Sequence, residues 1–70
     1  MELIPVRSSN LSAVGYDPFE AVLTIAFHGG RIYDYFCVPL PIYWGLMAAM
    51  SHGKFFHARI KNRYAYRRLT

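Results

Sequence analysis

The residues with the most evident chemistry are the cations and aromatic rings of the last seventeen positions. This segment, Lys54 to Thr70, contains six of the eight Lys and Arg residues and no Asp or Glu. Lys and Arg neutralise phosphates, and aromatic rings stack on unpaired bases. The segment therefore predicts nucleic-acid binding, with these candidate residues: Lys54, Arg59, Lys61, Arg63, Tyr66, Arg67 and Arg68. The same composition is also typical of a solvated helix whose long side chains shield a small core.

A second candidate surface is apolar. Trp44, Met47 and Met50 lie in a segment that we predict to be helical. Trp and Met are enriched in the cores of interfaces, which favours homodimerisation or docking on a protein partner. The alternative is burial in the core of the domain, with Met filling gaps.

Residues of catalytic and metal-binding types are present without the patterns that those activities need. No nucleophile elbow surrounds Ser8 or Ser9, and we expect both serines to satisfy backbone groups at a turn. The three histidines and the cysteine have no recognised ligand spacing: His28, His52, His57 and Cys37. We therefore expect no enzymatic activity, no catalytic residues, no metal site and no cofactor.

Length and composition indicate one folded domain spanning residues 1–70. A chain that is 54% hydrophobic and 17% aromatic is too apolar to be disordered. One cysteine cannot form an internal disulfide, so we expect a cytoplasmic protein. The first ten residues lack the apolar core of a secretory signal, and prolines interrupt the uncharged stretch 35–53, so no membrane association is expected.

Turn signals and apolar alternation predict three strands. They run over Leu11–Tyr16, Val22–Phe27 and Arg31–Val38. Residues Ile4–Ser8 form either a fourth strand or the approach to the first.

The length of the loop between the last two strands determines which side chains face the core. A two-residue loop would bury Asp34, whereas a three-residue loop places Tyr33 opposite Ile25 and Tyr35 opposite Leu23. Because an unpaired buried charge is costly, we predict the three-residue loop, with Gly30 in the left-handed conformation. Tyr33 and Tyr35 then face the core, which argues against their use as an exposed platform for stacking RNA bases.

Two helices follow the strands. The first begins at Pro39 and Pro41 and ends at Gly53. The second runs from Lys54 to Tyr64 and buries one face. The predicted fold class is α+β: an antiparallel β-meander of three or four strands, followed by two helices packed on one face of the sheet.

Short motifs occur in this order along the chain: Val6-x-Ser8-Ser9, Gly15-Tyr16-Asp17-Pro18, Leu23-x-Ile25-x-Phe27, Tyr33-x-Tyr35, Val38-Pro39, Ala49-x-Ser51-x-Gly53-x-Phe55-Phe56 and Ile60-Lys61-x-x-Tyr64-x-Tyr66. Together they resemble the KTSC domain, a bacterial and phage module found at the C-terminus of some lysyl-tRNA synthetases and also alone. The resemblance covers nearly the whole chain. It implies an accessory module that binds RNA.

Several positions depart from the family pattern: His57, Ala65, Arg67, Trp44 and Met50. Ala65 replaces a common proline, which permits the second helix to run further. Trp44 and Met50 replace polar residues, which favours an apolar contact outside the domain. We therefore expect a small domain that binds tRNA-like or single-stranded RNA through a basic C-terminal helix. The alternative is a protein-interaction or homodimerisation module that uses the helix around Trp44.

Overall fold

An antiparallel sheet of five strands forms one layer of the structure, and two helices form the other. The computed structural model describes residues 2–70. The strands are adjacent in chain order, and both helices are inserted before the last strand. The elements are β1 (Ile4–Pro5), β2 (Leu11–Asp17), β3 (Val22–Phe27), β4 (Ile32–Tyr35), α1 (Leu40–Ala48), α2 (His52–Arg59) and β5 (Tyr66–Arg68). The α+β prediction is confirmed, with more strands than expected.

The loop between β3 and β4 has the predicted length. The amide of Phe27 donates to the carbonyl of Arg31 at 2.8 Å, which leaves three residues in the loop. Gly29 and Gly30 have φ angles of +99° and +94°, a region that side-chain-bearing residues rarely adopt. The two glycines therefore permit the chain to reverse here.

The strand register that follows from this loop is also confirmed. Tyr33 pairs with Ile25 and Tyr35 pairs with Leu23. Because side chains alternate along a strand, both tyrosines lie on the face of the sheet that carries the helices, which we call the inner face. Asp34 lies on the outer face, where its carboxylate accepts a hydrogen bond from the hydroxyl of Thr24 at 2.5 Å.

The core lies between the inner face and the helices. Phe56 of α2 packs edge-on against Phe27 and Tyr35, with ring centroids 5.3 and 5.6 Å apart. The completely buried side chains around these rings are Leu11, Val14, Leu23, Ile25, Val38, Leu46 and Ile60. Burial of this apolar surface holds α2 against the end of the sheet where β3, β4 and β5 meet.

The first helix begins as predicted and ends earlier. Pro39 is its N-cap and Pro41 lies in its first turn. The helix ends at Ala48 because Ala49 is extended, with φ −67° and ψ 143°. Ser51 then caps α2 by accepting a hydrogen bond from the amide of Lys54 at 3.2 Å. Gly53, predicted as the end of α1, therefore belongs to α2.

The second helix is also shorter than predicted, so a basic C-terminal helix reaching Tyr64 is not observed. The helix ends at Arg59, and the amides of Ile60 and Lys61 both donate to the carbonyl of Phe56. Asn62 adopts the left-handed conformation, with φ +62°, which ends helical propagation.

The residues after this turn form a strand instead of continuing the helix. Tyr66 pairs with Tyr35, so β5 adds to the free edge of β4. Ala65 does not extend α2: its carbonyl accepts a hydrogen bond from the amide of Phe36 at 2.9 Å. The basic segment is therefore divided among α2, a turn and β5.

Two further features are the N-terminal segment and the length of the helices. Ile4–Pro5 is a separate short strand paired with β2, which resolves the alternative left open for the N-terminal segment. In residues 2–70, neither helix is long and apolar enough to cross a membrane.

Candidate nucleic-acid interface

A cleft of about 350 Å³ opens between the end of α2 and the inner face of the sheet. We call it the aromatic cleft. Phe27 and Tyr33 come from the β3–β4 hairpin, Phe56 comes from α2 and Tyr66 comes from β5. The residues lining the cleft are Asn10, Phe27, Arg31, Tyr33, Tyr35, Phe56, His57, Lys61, Asn62 and Tyr66. The core and the cleft thus share the same aromatic wall.

Three tyrosines, Tyr33, Tyr35 and Tyr66, form one side of the aromatic cleft. The ring centroid of Tyr66 lies 5.7 Å from that of Tyr33 and 5.9 Å from that of Tyr35. Tyr35 is only 5% exposed, whereas Tyr66 is 59% exposed. Buried neighbours therefore hold one side of Tyr66 while much of its ring remains accessible for a further contact.

Tyr35, the buried member of this group, keeps its proton well above neutral pH. Burial, together with the neighbouring Tyr33 and Tyr66, raises the pKa of Tyr35 to about 12. The Tyr35 hydroxyl therefore adds no negative charge to the cleft at physiological pH.

Cations border the aromatic cleft on two sides. The guanidinium carbon of Arg31 lies 5.8 Å from the ring centroid of Phe27, and Lys61 lines the cleft from the turn after α2. Arg68 pairs with Tyr33 and therefore lies on the inner face beside Tyr66. Among the described residues that line the cleft there is no carboxylate. The local charge favours an anion.

A second, shallower cleft continues from the first along α2. We call it the serine groove. It measures about 680 Å³ and is lined by Ser9, Asn10, Ser51, Gly53, Lys54, His57 and Ala58. Asn10 and His57 line both clefts, so the two adjoin, with Lys61 lining the aromatic cleft and Lys54 lining the serine groove.

The residues predicted to bind nucleic acid are divided by the fold. Lys61 and Tyr66 line the aromatic cleft, and Lys54 lines the serine groove. Arg59 lies over the ring of Phe55, with its guanidinium carbon 5.9 Å from the ring centroid. Phe55 in turn packs close to Gly45 of α1.

The remaining arginines occupy three different environments. Arg63 is exposed in the turn that follows α2. Arg67 pairs with Asp34, so strand alternation places it on the outer face, away from Tyr66. Arg68 is on the inner face, and its Nε donates to the carbonyl of Thr70.

Sequence reasoning did not identify several residues of the two clefts. Arg31, Asn10 and His57 were not among the predicted binding residues, and Tyr33 and Tyr35 were predicted to face the core. A signal for Arg31 was present, because the three-residue loop pairs it with Phe27 and so places it on the face of Tyr33.

The apolar candidates on α1 differ in exposure. Trp44 is 61% exposed and Met50 is fully exposed just beyond the helix, whereas Met47 is half-buried against the core. Tyr43 stacks on Tyr16, with ring centroids 4.8 Å apart. Tyr43 therefore packs α1 against the sheet, while the adjacent Trp44 faces solvent.

The residues of catalytic and metal-binding types have structural contacts. The Ser8 hydroxyl accepts hydrogen bonds from the amides of Asn10 and Leu11, both at 3.2 Å, as predicted for a turn serine. His28 and His52 hydrogen-bond to backbone carbonyls at 2.8 and 2.7 Å. Within residues 2–70, no three His, Cys, Asp or Glu side chains lie close enough together to hold a metal ion.

The fold defines a small α+β domain with an aromatic cleft that is bordered by cations. The family model of the KTSC domain matches residues 7–64. The chain therefore belongs to the KTSC domain family, which confirms the resemblance found in the sequence.

Individual relatives are consistent with this assignment. The crystal structure of a KTSC domain protein from Yersinia pestis superposes with a TM-score of 0.93 at 36% identity, covering 99% of this chain and 97% of the other. A protein of Tsukamurella paurometabola is 43% identical over 60 residues, covering 86% of this chain and 90% of its own. A lysine–tRNA ligase of Nostoc sp. is 38% identical over 68 residues, 97% of this chain but only 12% of the ligase.

Proposed function

We propose that this domain is a non-enzymatic module that binds RNA along the path formed by the aromatic cleft and the serine groove. The observation that carries the proposal is the aromatic cleft itself. In this cleft, aromatic rings lie together with the cations Arg31 and Lys61, and the described lining residues include no carboxylate. Single-strand-binding surfaces combine these features, since cations follow the backbone and rings contact the bases.

The polymer is proposed to be RNA because of where related domains occur. A domain similar to this chain forms 12% of a lysine–tRNA ligase, a protein whose name states that it acts on tRNA. An accessory module in such a protein has tRNA as its nearest nucleic acid. This association supports RNA over DNA.

Four cations are proposed to contact phosphates along the path. Arg31 and Lys61 border the aromatic cleft, Lys54 lines the serine groove, and Arg68 flanks Tyr66 on the inner face. Phosphate contacts position a strand without specifying its sequence, so sequence preference is expected to be weak.

The other predicted arginines have a smaller role in the proposal. Arg59 and Arg63 are exposed near the end of α2, where they can contact a strand that extends beyond the aromatic cleft. Arg67 is left out of the contact set because it lies on the outer face opposite Asp34.

The experiment is a fluorescence-anisotropy titration of the purified domain against labelled tRNA, single-stranded RNA and duplex DNA at low and moderate salt. We expect saturable binding to RNA that weakens as salt increases. Charge reversal of the cleft, Arg31→Glu/Lys61→Glu, is expected to abolish it. Arg67→Glu changes a cation on the other face and serves as the control, so it is expected to retain most of the affinity. Absence of RNA binding by the wild-type domain at low salt would contradict the proposal.

A second candidate function is protein interaction or homodimerisation through α1. The observation that favours it is the exposure of two large apolar side chains, Trp44 at 61% and Met50 completely. Under this hypothesis Trp44→Asp changes the mass measured by sedimentation equilibrium, while Arg31→Glu/Lys61→Glu does not. A wild-type domain that remains monomeric at high concentration would contradict homodimerisation.

A further inference from the structure

We propose that the aromatic cleft holds one unpaired nucleobase, so that the domain selects single-stranded over duplex nucleic acid. This inference rests on the proposed function and specifies its ligand. A cleft of about 350 Å³ is at the small end of the range for ligand sites, about 300–1,000 Å³. Bases inside a duplex are paired and stacked, so only an unpaired or flipped base can enter such a cleft.

Tyr66 is the residue whose geometry carries the inference. Its contacts with Tyr33 and Tyr35 restrict the ring, and its 59% exposure leaves a surface for a ligand. A ring that is already ordered loses little conformational freedom when a base stacks on it.

Polar groups beside the rings match the edge of a base. Asn10 and Asn62 line the cleft, and each side-chain amide offers both donors and an acceptor. Asn62 has a left-handed backbone conformation and lies in the turn that also carries Lys61. A base stacked on Tyr66 is therefore placed between amide groups that can bond its edge and a cation that can bond its phosphate.

The connection between the two clefts indicates how the rest of the strand runs. Asn10 and His57 line both, so the aromatic cleft and the serine groove adjoin and a strand that enters the first can continue along the second. Lys54 in the serine groove can then receive a phosphate of the adjoining nucleotide. The geometry is that of a polymer with one base inserted and its backbone following α2.

The test separates bases from phosphates. A single RNA strand of about eight nucleotides is compared with a strand of equal length and charge in which abasic spacers replace all nucleotides. We expect the wild-type domain to bind the abasic strand about tenfold more weakly, since one stacked base contributes roughly this factor. This comparison needs no mutation, so it is independent of any effect on folding.

Substitutions of aromatic residues then test whether the base stacks on Tyr66. Tyr66→Ala is expected to weaken binding of the base-containing strand about tenfold and to leave the abasic strand unchanged, while Tyr66→Phe restores the difference. Trp44→Ala is the matched control, because Trp44 is an aromatic residue of similar exposure, 61%, on α1. A loss in Trp44→Ala as large as in Tyr66→Ala would overturn the placement of the base.

The outcomes distinguish this inference from the proposed function. Equal wild-type affinity for both strands would overturn base insertion while leaving phosphate-driven RNA binding intact. Failure of both strands to bind would contradict the proposed function and the inference together. A Tyr66→Phe variant as weak as Tyr66→Ala would overturn stacking as the source of the preference.

Discussion

The salt dependence of RNA binding should change in proportion to the number of cations removed from the path formed by the aromatic cleft and the serine groove. Four cations are placed along it: Arg31, Lys54, Lys61 and Arg68. If each neutralises one phosphate of a single strand, log Kobs falls with log salt with a slope of about −2.8, four contacts at about −0.7 each. Raising the salt fourfold then weakens binding about 50-fold.

The perturbation is the double substitution Lys54→Ala/Lys61→Ala. It leaves two phosphate contacts, so the expected slope is about −1.4 and the same fourfold increase in salt weakens binding only about sevenfold. The assay is anisotropy of a labelled single-stranded RNA measured over a series of salt concentrations. Each single variant is expected to reduce the magnitude of the slope by about 0.7.

Arg67→Ala provides the matched control for each single variant. It changes the net charge by the same amount, yet Arg67 lies on the outer face opposite Asp34. Its slope is expected to equal that of the wild-type domain. A reduction by about 0.7 in Arg67→Ala would mean that binding follows net charge and would refute the path through the clefts.

Two further predictions concern the fold that positions the cleft. In Gly45→Ala the added Cβ would lie 2.6 Å from Cζ of Phe55, so the ring must shift, and thermal unfolding should show a net loss of about 1 kcal/mol after the gain in helix propensity. Gly53→Ala, whose nearest contact is 3.6 Å, should not be destabilised. Because the pKa of Tyr35 is raised to about 12, its contribution to the free energy of unfolding is fully present below about pH 10. This contribution is lost as pH rises towards about 12, since the tyrosine of the unfolded chain loses its proton first. Denaturant unfolding should show a smaller loss of stability at alkaline pH in Tyr35→Phe, and an unchanged loss would contradict the role of Tyr35. Equal stability of Gly45→Ala and Gly53→Ala would contradict the predicted clash with Phe55.

The β3–β4 register was predictable because one strong local constraint determined it. Burial of Asp34 without a partner would be costly, and only the three-residue loop avoids it. In the structure Asp34 faces outward and accepts from Thr24, while Tyr33 and Tyr35 face the helices. Local turn chemistry and the cost of a buried charge were sufficient for this element.

The end of α2 and the fifth strand could not be predicted in the same way. The spacing of Phe56, Ile60 and Tyr64 fits a helical face, and the sequence after it is too short to show strand alternation. The segment becomes a strand because the edge of β4 is available for pairing. That pairing is a contact between residues far apart in the chain, which local propensity does not report.

The candidate site was also only partly predictable, because some of its residues are far apart in the sequence. Lys54, Lys61 and Tyr66 were predicted from the charge and aromatic pattern of one segment. Arg31, Asn10 and His57 come from other parts of the chain and join them only when the sheet and α2 pack together. Conversely, Arg67 is adjacent to Tyr66 in sequence but lies on the opposite face of β5.

The most direct test of the account is a nitrogen-15 NMR titration of the domain with short single-stranded RNA. Amide shifts should change progressively around the aromatic cleft and the serine groove, at residues including Arg31, Lys61 and Tyr66. The amide of Thr24, on the outer face of β3, should change little. Shifts concentrated around Trp44 and Met50, or no shifts at saturating RNA, would contradict the proposal that the cleft is the RNA-binding site.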